Sequence, residues 1–313
     1  MRQKRRLLLL TAILATVVAG AGSASAATVS TQTAGATPQN HGPSVPHYDY
    51  YLALGDSLGA GWQPDPVTGV GAITGQGYAS DIAADLKKAN PHLQFTDLAC
   101  PGETTTTMLN GGCAYPETYH SQIAAATAFL AAHHGSRVLV TLDIGANNID
   151  GCMSASGIDT ACVTSGLTAV GSDLPKILSR LKSAGGRGTS IFGMNYYDPF
   201  LAEWLTGTTG EGLATTSVAL SAVFNGLLKT VYTLHGIPVA DVSGTFDTAD
   251  FTPLVLLTST LKVPLNVAKI CQWTWMCAPA PVGPNIHANA TGYSQMAGAF
   301  EKVIFSPTRL WWW

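Results

Sequence analysis

Four positions carry residue types that could do chemistry together, and each is weak alone. Ser57 stands in Gly55-Asp56-Ser57-Leu58-Gly59, directly after an apolar run. A serine hydroxyl becomes a nucleophile once an adjacent base takes its proton. Gly102, in Cys100-Pro101-Gly102-Glu103, brings a backbone N–H that can approach a substrate closely. Asn147, in Gly145-Ala146-Asn147-Asn148, offers a carboxamide N–H₂ for a developing oxyanion. His287, in Pro284-Asn285-Ile286-His287-Ala288-Asn289, is the best general base among the eight histidines, because imidazole titrates near neutrality. His41 and His47 lie in or beside a polar N-terminal stretch, His133 and His134 end a helix, and His92, His120 and His235 have no motif around them. Together the four could transfer an acyl group to water. Singly they read as a turn or helix cap, a turn glycine, a turn asparagine and a loop histidine.

The elements that must position them alternate. Strands are predicted at Tyr50–Asp56, Leu93–Ala99, Val138–Ile144, Thr189–Met194 and Ile237–Val242. Helices are predicted at Tyr78–Ala89, Tyr119–Ala132, Leu167–Ser183, Thr215–Leu234 and Tyr293–Ile304. That alternation implies βαβ units and a mostly parallel five-stranded sheet inside a three-layer α/β/α sandwich. Ser57, Gly102 and Asn147 then follow the carboxyl ends of three strands, where such sheets form their sites. The string Gly55 to Gly59 also satisfies the G-x-S-x-G nucleophile elbow, but an elbow fold should have several strands before its serine, and here only one precedes it.

In this order and at these element ends, the chain resembles the GDSL, or SGNH, hydrolase family of exported bacterial-type esterases and lipases. The resemblance spans residues 48–305 and implies a flavodoxin-like fold with Ser57 as nucleophile and His287 as base. It also implies an oxyanion hole from the Ser57 N–H, the Gly102 N–H and the Asn147 side chain, and no cofactor. Three departures stand out. The family acid three residues before the histidine is Pro284 here, its Gly-x-Asn-Asp ends in Asn148, and its His-Pro-Asn reads His287-Ala288-Asn289. Some exported relatives replace the acid with a main-chain carbonyl, so the expected arrangement is a Ser57–His287 dyad whose imidazole N–H is held near residue 284. Asn285 can orient the ring without a charge, and Asp241 or Asp247 is the alternative acid.

The N-terminus has a basic stretch through Arg6, an apolar run from Leu7 to about Gly22, and Ala24-Ser25-Ala26, the pattern of a secretory signal peptide over 1–26. Residues 27–47 read as a polar, flexible linker, 48–305 as the catalytic domain and 306–313 as a tail containing Trp311 to Trp313. The leader's apolar run is short for a membrane anchor, and no other segment reads as long and apolar enough to span. Of 16 basic residues the leader holds four, leaving 12 against 19 acidic, or −7; nucleic acid is therefore not an expected partner. The six cysteines group as Cys100 with Cys113, Cys152 with Cys162 and Cys271 with Cys277. In an exported chain that argues for disulfides, neighbour pairing being the simplest of about 15 connectivities. Their spacing matches no zinc pattern, and no G-x-G-x-x-G follows a strand.

The functional expectation is a secreted, monomeric carboxylic-ester hydrolase acting on a small-molecule or lipid ester. A polysaccharide acetylesterase and a non-catalytic binding domain are the alternatives. The apolar stretch Asp250 to Met276 either lines an acyl groove or packs as core, and Asn195 to Phe200 is expected to shape the pocket.

Overall fold

A computed structural model describes residues 46–306 apart from 114, 116–117 and 155–156. The leader, residues 27–45 of the linker, and the tail beyond residue 306 lie outside the described residues. Five strands form one parallel sheet: β1 (Tyr50–Gly55), β2 (Gln94–Asp97), β3 (Val138–Asp143), β4 (Thr189–Met194) and β5 (Val239–Ala240), in the order β2-β1-β3-β4-β5. β1 and β3 are covered on both faces and read as unbroken apolar runs, such as Leu52-Ala53-Leu54 and Val138-Leu139-Val140. β2 and β5 are the edges and are short.

The main helices are α1 (Tyr78–Ala89), α2 (Thr105–Asn110), α3 (Gln122–Ala132), α4 (Thr160–Gly185), α5 (Thr208–Leu234), α6 (Leu265–Trp273) and α7 (Ala290–Ile304), the last two following β5. α1 packs on α7 as one group, and α3, α4 and α5 pack in sequence as the other. These layers give the expected flavodoxin-like sandwich. The buried stripe of α1 (Tyr78, Ala79, Ile82, Ala83, Leu86) follows helical spacing, as does that of α7 (Tyr293, Met296, Ala297, Phe300, Ile304).

The sequence expectations differ from the structure in extent more than in kind. α4 and α5 each begin seven residues before their expected starts. Asp159 caps α4 by accepting from the N–H groups of Ala161 and Cys162. α5 corrects one expectation outright, since it is long and apolar enough to cross a membrane. Here it is a layer helix, with Ala214, Phe224, Leu228, Val231 and Tyr232 buried in the domain. The Asp250 to Met276 stretch forms a hairpin (Leu254–Leu256 with Lys262–Pro264) followed by α6. Val263, Val267, Ala268 and Ile270 are buried core, whereas Leu254, Leu256 and Leu261 of the hairpin are exposed.

The chain moves to one side of β1 for β2 and to the other for β3, so a crevice opens beyond their carboxyl ends. Ser57, Gly102 and Asn147 all sit at that edge.

Candidate active site

Ser57 is placed by a turn that only glycine can start. Gly55 has φ +139°, and a Cβ on it would lie 2.0 Å from the main-chain oxygen of Asp143, its register partner on β3. Gln122 at the start of α3 clamps this turn from the side. Its Oε1 accepts from the Gly55 N–H at 2.7 Å and its Nε2 donates to the Gly55 carbonyl at 2.9 Å. Asp143 closes the other side, where its Oδ2 accepts from the N–H groups of Asp56 (3.3 Å) and Gly59 (3.0 Å) and its Oδ1 from the Tyr78 hydroxyl at 2.5 Å. Full burial, with the Asp56 charge adding to it, raises the Asp143 carboxyl well above the usual carboxylate range. Asp56 accepts from the Leu58 N–H (2.9 Å) and the Tyr196 hydroxyl (3.0 Å), and burial raises it too.

His287 reaches the serine across the whole domain. Its Nε2 lies 2.8 Å from Ser57 Oγ, and its Nδ1 lies 2.8 Å from Asn285 Oδ1. The same Oδ1 is 3.1 Å from the His287 main-chain N–H. A backbone N–H only donates, so the amide atom facing it must be oxygen. That oxygen accepts from Nδ1–H, which leaves Nε2 unprotonated and able to take a proton from Ser57. The expected main-chain carbonyl near residue 284 is therefore replaced by the Asn285 side chain. Asp241 instead accepts from Asn195 Nδ2 and caps at Gly244, while Asp247 pairs with Lys269. Neither serves His287.

The histidine loop is held on three sides. Trp275 N–H donates to the His287 carbonyl, Asn285 N–H to the Trp275 carbonyl and Asn289 N–H to the Trp273 carbonyl, zipping the loop to residues 273–275. The Tyr197 hydroxyl donates to the Ile286 carbonyl at 2.7 Å. Trp62 lies over the imidazole with ring centres 4.1 Å apart, and its own carbonyl accepts from the Tyr293 hydroxyl. This enclosure lowers the His287 pKa to about 4, because burial disfavours the imidazolium.

The Gly102 and Asn147 loops are tied to each other. Asn147 Nδ2 donates to the Glu103 carbonyl at 3.0 Å, which uses one of its two hydrogens. Asn148 Oδ1 accepts from the Thr105 N–H and its Nδ2 donates to Thr105 Oγ1, both at 3.0 Å. Asn148 thus docks the first turn of α2 and needs no charge to do it. Gly102 has φ +82° and open space where a Cβ would stand.

A cavity of about 60 Å³ opens beside Ser57. Asn147 and His287 line it, Gly102 does not, and the walls are Ile149, Met153, Val163, Leu167, Leu220 and Phe224. Tyr196, Tyr197, Asp198, Pro199 and Phe200 complete it, as expected for the loop after β4. No residue of Asp250 to Met276 takes part, so the groove reading of that stretch is corrected.

The six cysteines join as neighbours: Cys100–Cys113, Cys152–Cys162 and Cys271–Cys277. Among the described residues the one group of potential metal donors, Cys100, Glu103 and Cys113, has both sulfurs committed to a disulfide. The groups that sequence reasoning missed are Asp143, Gln122, Tyr78 and Trp62. Only the register of β3 against β1, which sets Asp143 beside Gly55, left any trace in the sequence.

The family model for the GDSL-like lipase/acylhydrolase family matches residues 53–295, and the chain belongs to that family. No curated protein matches it. Among solved structures, an extracellular lipase from Streptomyces rimosus is 18% identical, with 81% of this chain and 98% of that one covered, at a TM-score of 0.49. A phospholipase A1 from Streptomyces albidoflavus is 19% identical, with 82% and 99% covered, at 0.49. A protein from Parabacteroides merdae described as a GDSL-like lipase is 14% identical, with 84% and 98% covered, at 0.50. That last likeness bears on the fold alone.

Proposed function

We propose that this GDSL-family hydrolase is an exported carboxylic-ester hydrolase that works through a covalent acyl-enzyme on Ser57. The observation that carries the reading is the 2.8 Å contact between His287 Nε2 and Ser57 Oγ at the mouth of an apolar cavity. His287 takes the Ser57 proton as Oγ attacks the ester carbonyl, then gives it to the leaving alcohol. The Nδ1–H bond to Asn285 keeps the ring in the required tautomer. The N–H groups of Ser57 and Gly102 and the second Asn147 hydrogen receive the oxyanion, each donor contributing roughly 2.7–4 kcal/mol in the transition state. Water then releases the acid by the reverse proton path.

The cavity supports a short acyl group: about 60 Å³ is room for roughly four to six waters, or a chain of a few carbons. Three disulfides support an oxidising, extracellular compartment, as the signal-like leader does. The substrate is a small-molecule or lipid ester, met by a monomer with no nucleic-acid partner.

The test is hydrolysis of p-nitrophenyl esters of rising chain length by the purified mature protein, with Ser57→Ala and His287→Ala beside it. Turnover is expected to peak at short chains and to fall by at least about 10³-fold in either variant. Activity surviving in Ser57→Ala overturns the mechanism. A sharp preference for acetate on a polysaccharide would favour the acetylesterase reading instead.

A further inference from the structure

One group in the cavity has no part in acyl transfer. Asp150 lies three residues beyond Asn147, in the turn that leaves β3, and lines the same cavity as Ser57 and His287. Two other carboxyls line it, and both are satisfied. Asp56 holds the Leu58 N–H and the Tyr196 hydroxyl, and Asp198 holds the Phe200 N–H and the Ser217 hydroxyl. The Asp150 carboxyl has no hydrogen-bond partner among the described residues, and no lysine or arginine lines the cavity. Ile149 and Met153, close to it in the chain, line the same cavity.

Asp150 is only part-buried, so water reaches its carboxyl in the empty cavity, and an acyl group that displaces that water must bring the missing partner itself. Enclosure, with the charges of Asp56 and Asp198 adding to it, pushes Asp150 up to about 8. Below that pH it is a neutral acid, one donor and one acceptor together. A hydroxyl matches it on both counts. An anionic acyl group meets three carboxyls here, and an ammonium brings a full charge into an apolar cavity.

We propose that Asp150 is a specificity-determining residue that selects acyl groups bearing a hydroxyl, hydrogen-bonding that hydroxyl inside the cavity. The inference rests on the reading of the cavity as the acyl pocket of a Ser57 esterase.

The experiment compares kcat/KM for p-nitrophenyl butyrate and hexanoate with the 3-hydroxybutyrate and 6-hydroxyhexanoate esters, adding 3-aminobutyrate as the cationic arm. Wild type, Asp150→Asn and Asp150→Leu are each measured from pH 6 to 9. At pH 6.5 the wild type is expected to favour at least one hydroxyacyl ester about tenfold over its plain counterpart. Asp150→Asn keeps that preference, whereas Asp150→Leu loses it. Plain-ester turnover in the wild type falls above about pH 8 as Asp150 ionises, and this limb is absent in both variants. Ser57-dependent hydrolysis with no hydroxyl preference, or one that Asp150→Leu leaves intact, overturns the proposal and leaves the esterase reading standing. Preference for the aminobutyrate ester overturns it in favour of a cation site. Absence of Ser57-dependent hydrolysis of every ester is instead the failure of the esterase reading.

Discussion

The imidazole of His287 has a carboxamide at its back where the family places an acid, and the two differ in charge while offering the same acceptor. Asn285 Oδ1 sets the tautomer but gives an imidazolium no counter-charge. Burial under Trp62 therefore acts alone and lowers the pKa to about 4. The base form should then persist well below neutrality, so the acid limb of kcat/KM is expected near pH 4 instead of near the ordinary value of about 6.5. Asn285→Asp supplies the missing charge and should move that limb upward. Trp62→Ala admits water to the ring and should move it the same way. A pH–rate profile for each variant checks both shifts, and an acid limb already near 6.5 in the wild type would contradict the enclosure argument.

At the scale of elements, the site depends on loops that cross-brace one another. The Gly102 and Asn147 loops share three hydrogen bonds, and the histidine loop is zipped to residues 273–275. That second segment lies within the Cys271–Cys277 bridge. Replacing both cysteines by serine should cost about 2 kcal/mol of stability, and should lower turnover as well, because His287 loses a fixed partner. Thermal melts beside kcat measure the two effects. A lower melting temperature with unchanged turnover would show that the bridge does not position the histidine.

Across the whole molecule, several acids have folded-state pKa values raised by burial: Asp97 and Asp198 to about 6, Glu301 to about 7 and Asp150 to about 8. His287 is shifted the opposite way, to about 4. Between about pH 4 and 6.5 the histidine binds fewer protons folded than unfolded, which makes stability rise with pH, while the acids oppose it. Above 6.5 the histidine is neutral in both states. Glu301 and Asp150 alone among these still hold extra protons in the folded state, so stability should fall as pH climbs from 6.5 to 8.5. Melting temperatures across that window check the sign, and Asp150→Asn should flatten the fall.

Local chemistry determined much of this protein. Runs such as Leu52-Ala53-Leu54 and Val138-Leu139-Val140 suit strands buried on both faces, and glycines and polar turns mark where each strand ends. Those rules placed Ser57, Gly102 and Asn147 at one sheet edge, and the contexts of the other seven histidines, with the family resemblance, singled out His287. Tertiary structure decided what surrounds them. Gln122 to Gly55 spans 67 residues, Asp143 to Gly59 spans 84, and Tyr293 to Trp62 spans 231. No local pattern marks such partners, because each is chosen by the strand order and helix packing that bring distant segments together. The cavity beside Ser57 is likewise a property of α4, α5 and the strand-end loops assembled, and composition could not reveal which parts of the apolar stretch Asp250 to Met276 are core and which are exposed. The choice of Asn285 over a main-chain carbonyl rests on a side-chain direction, which only the folded loop sets.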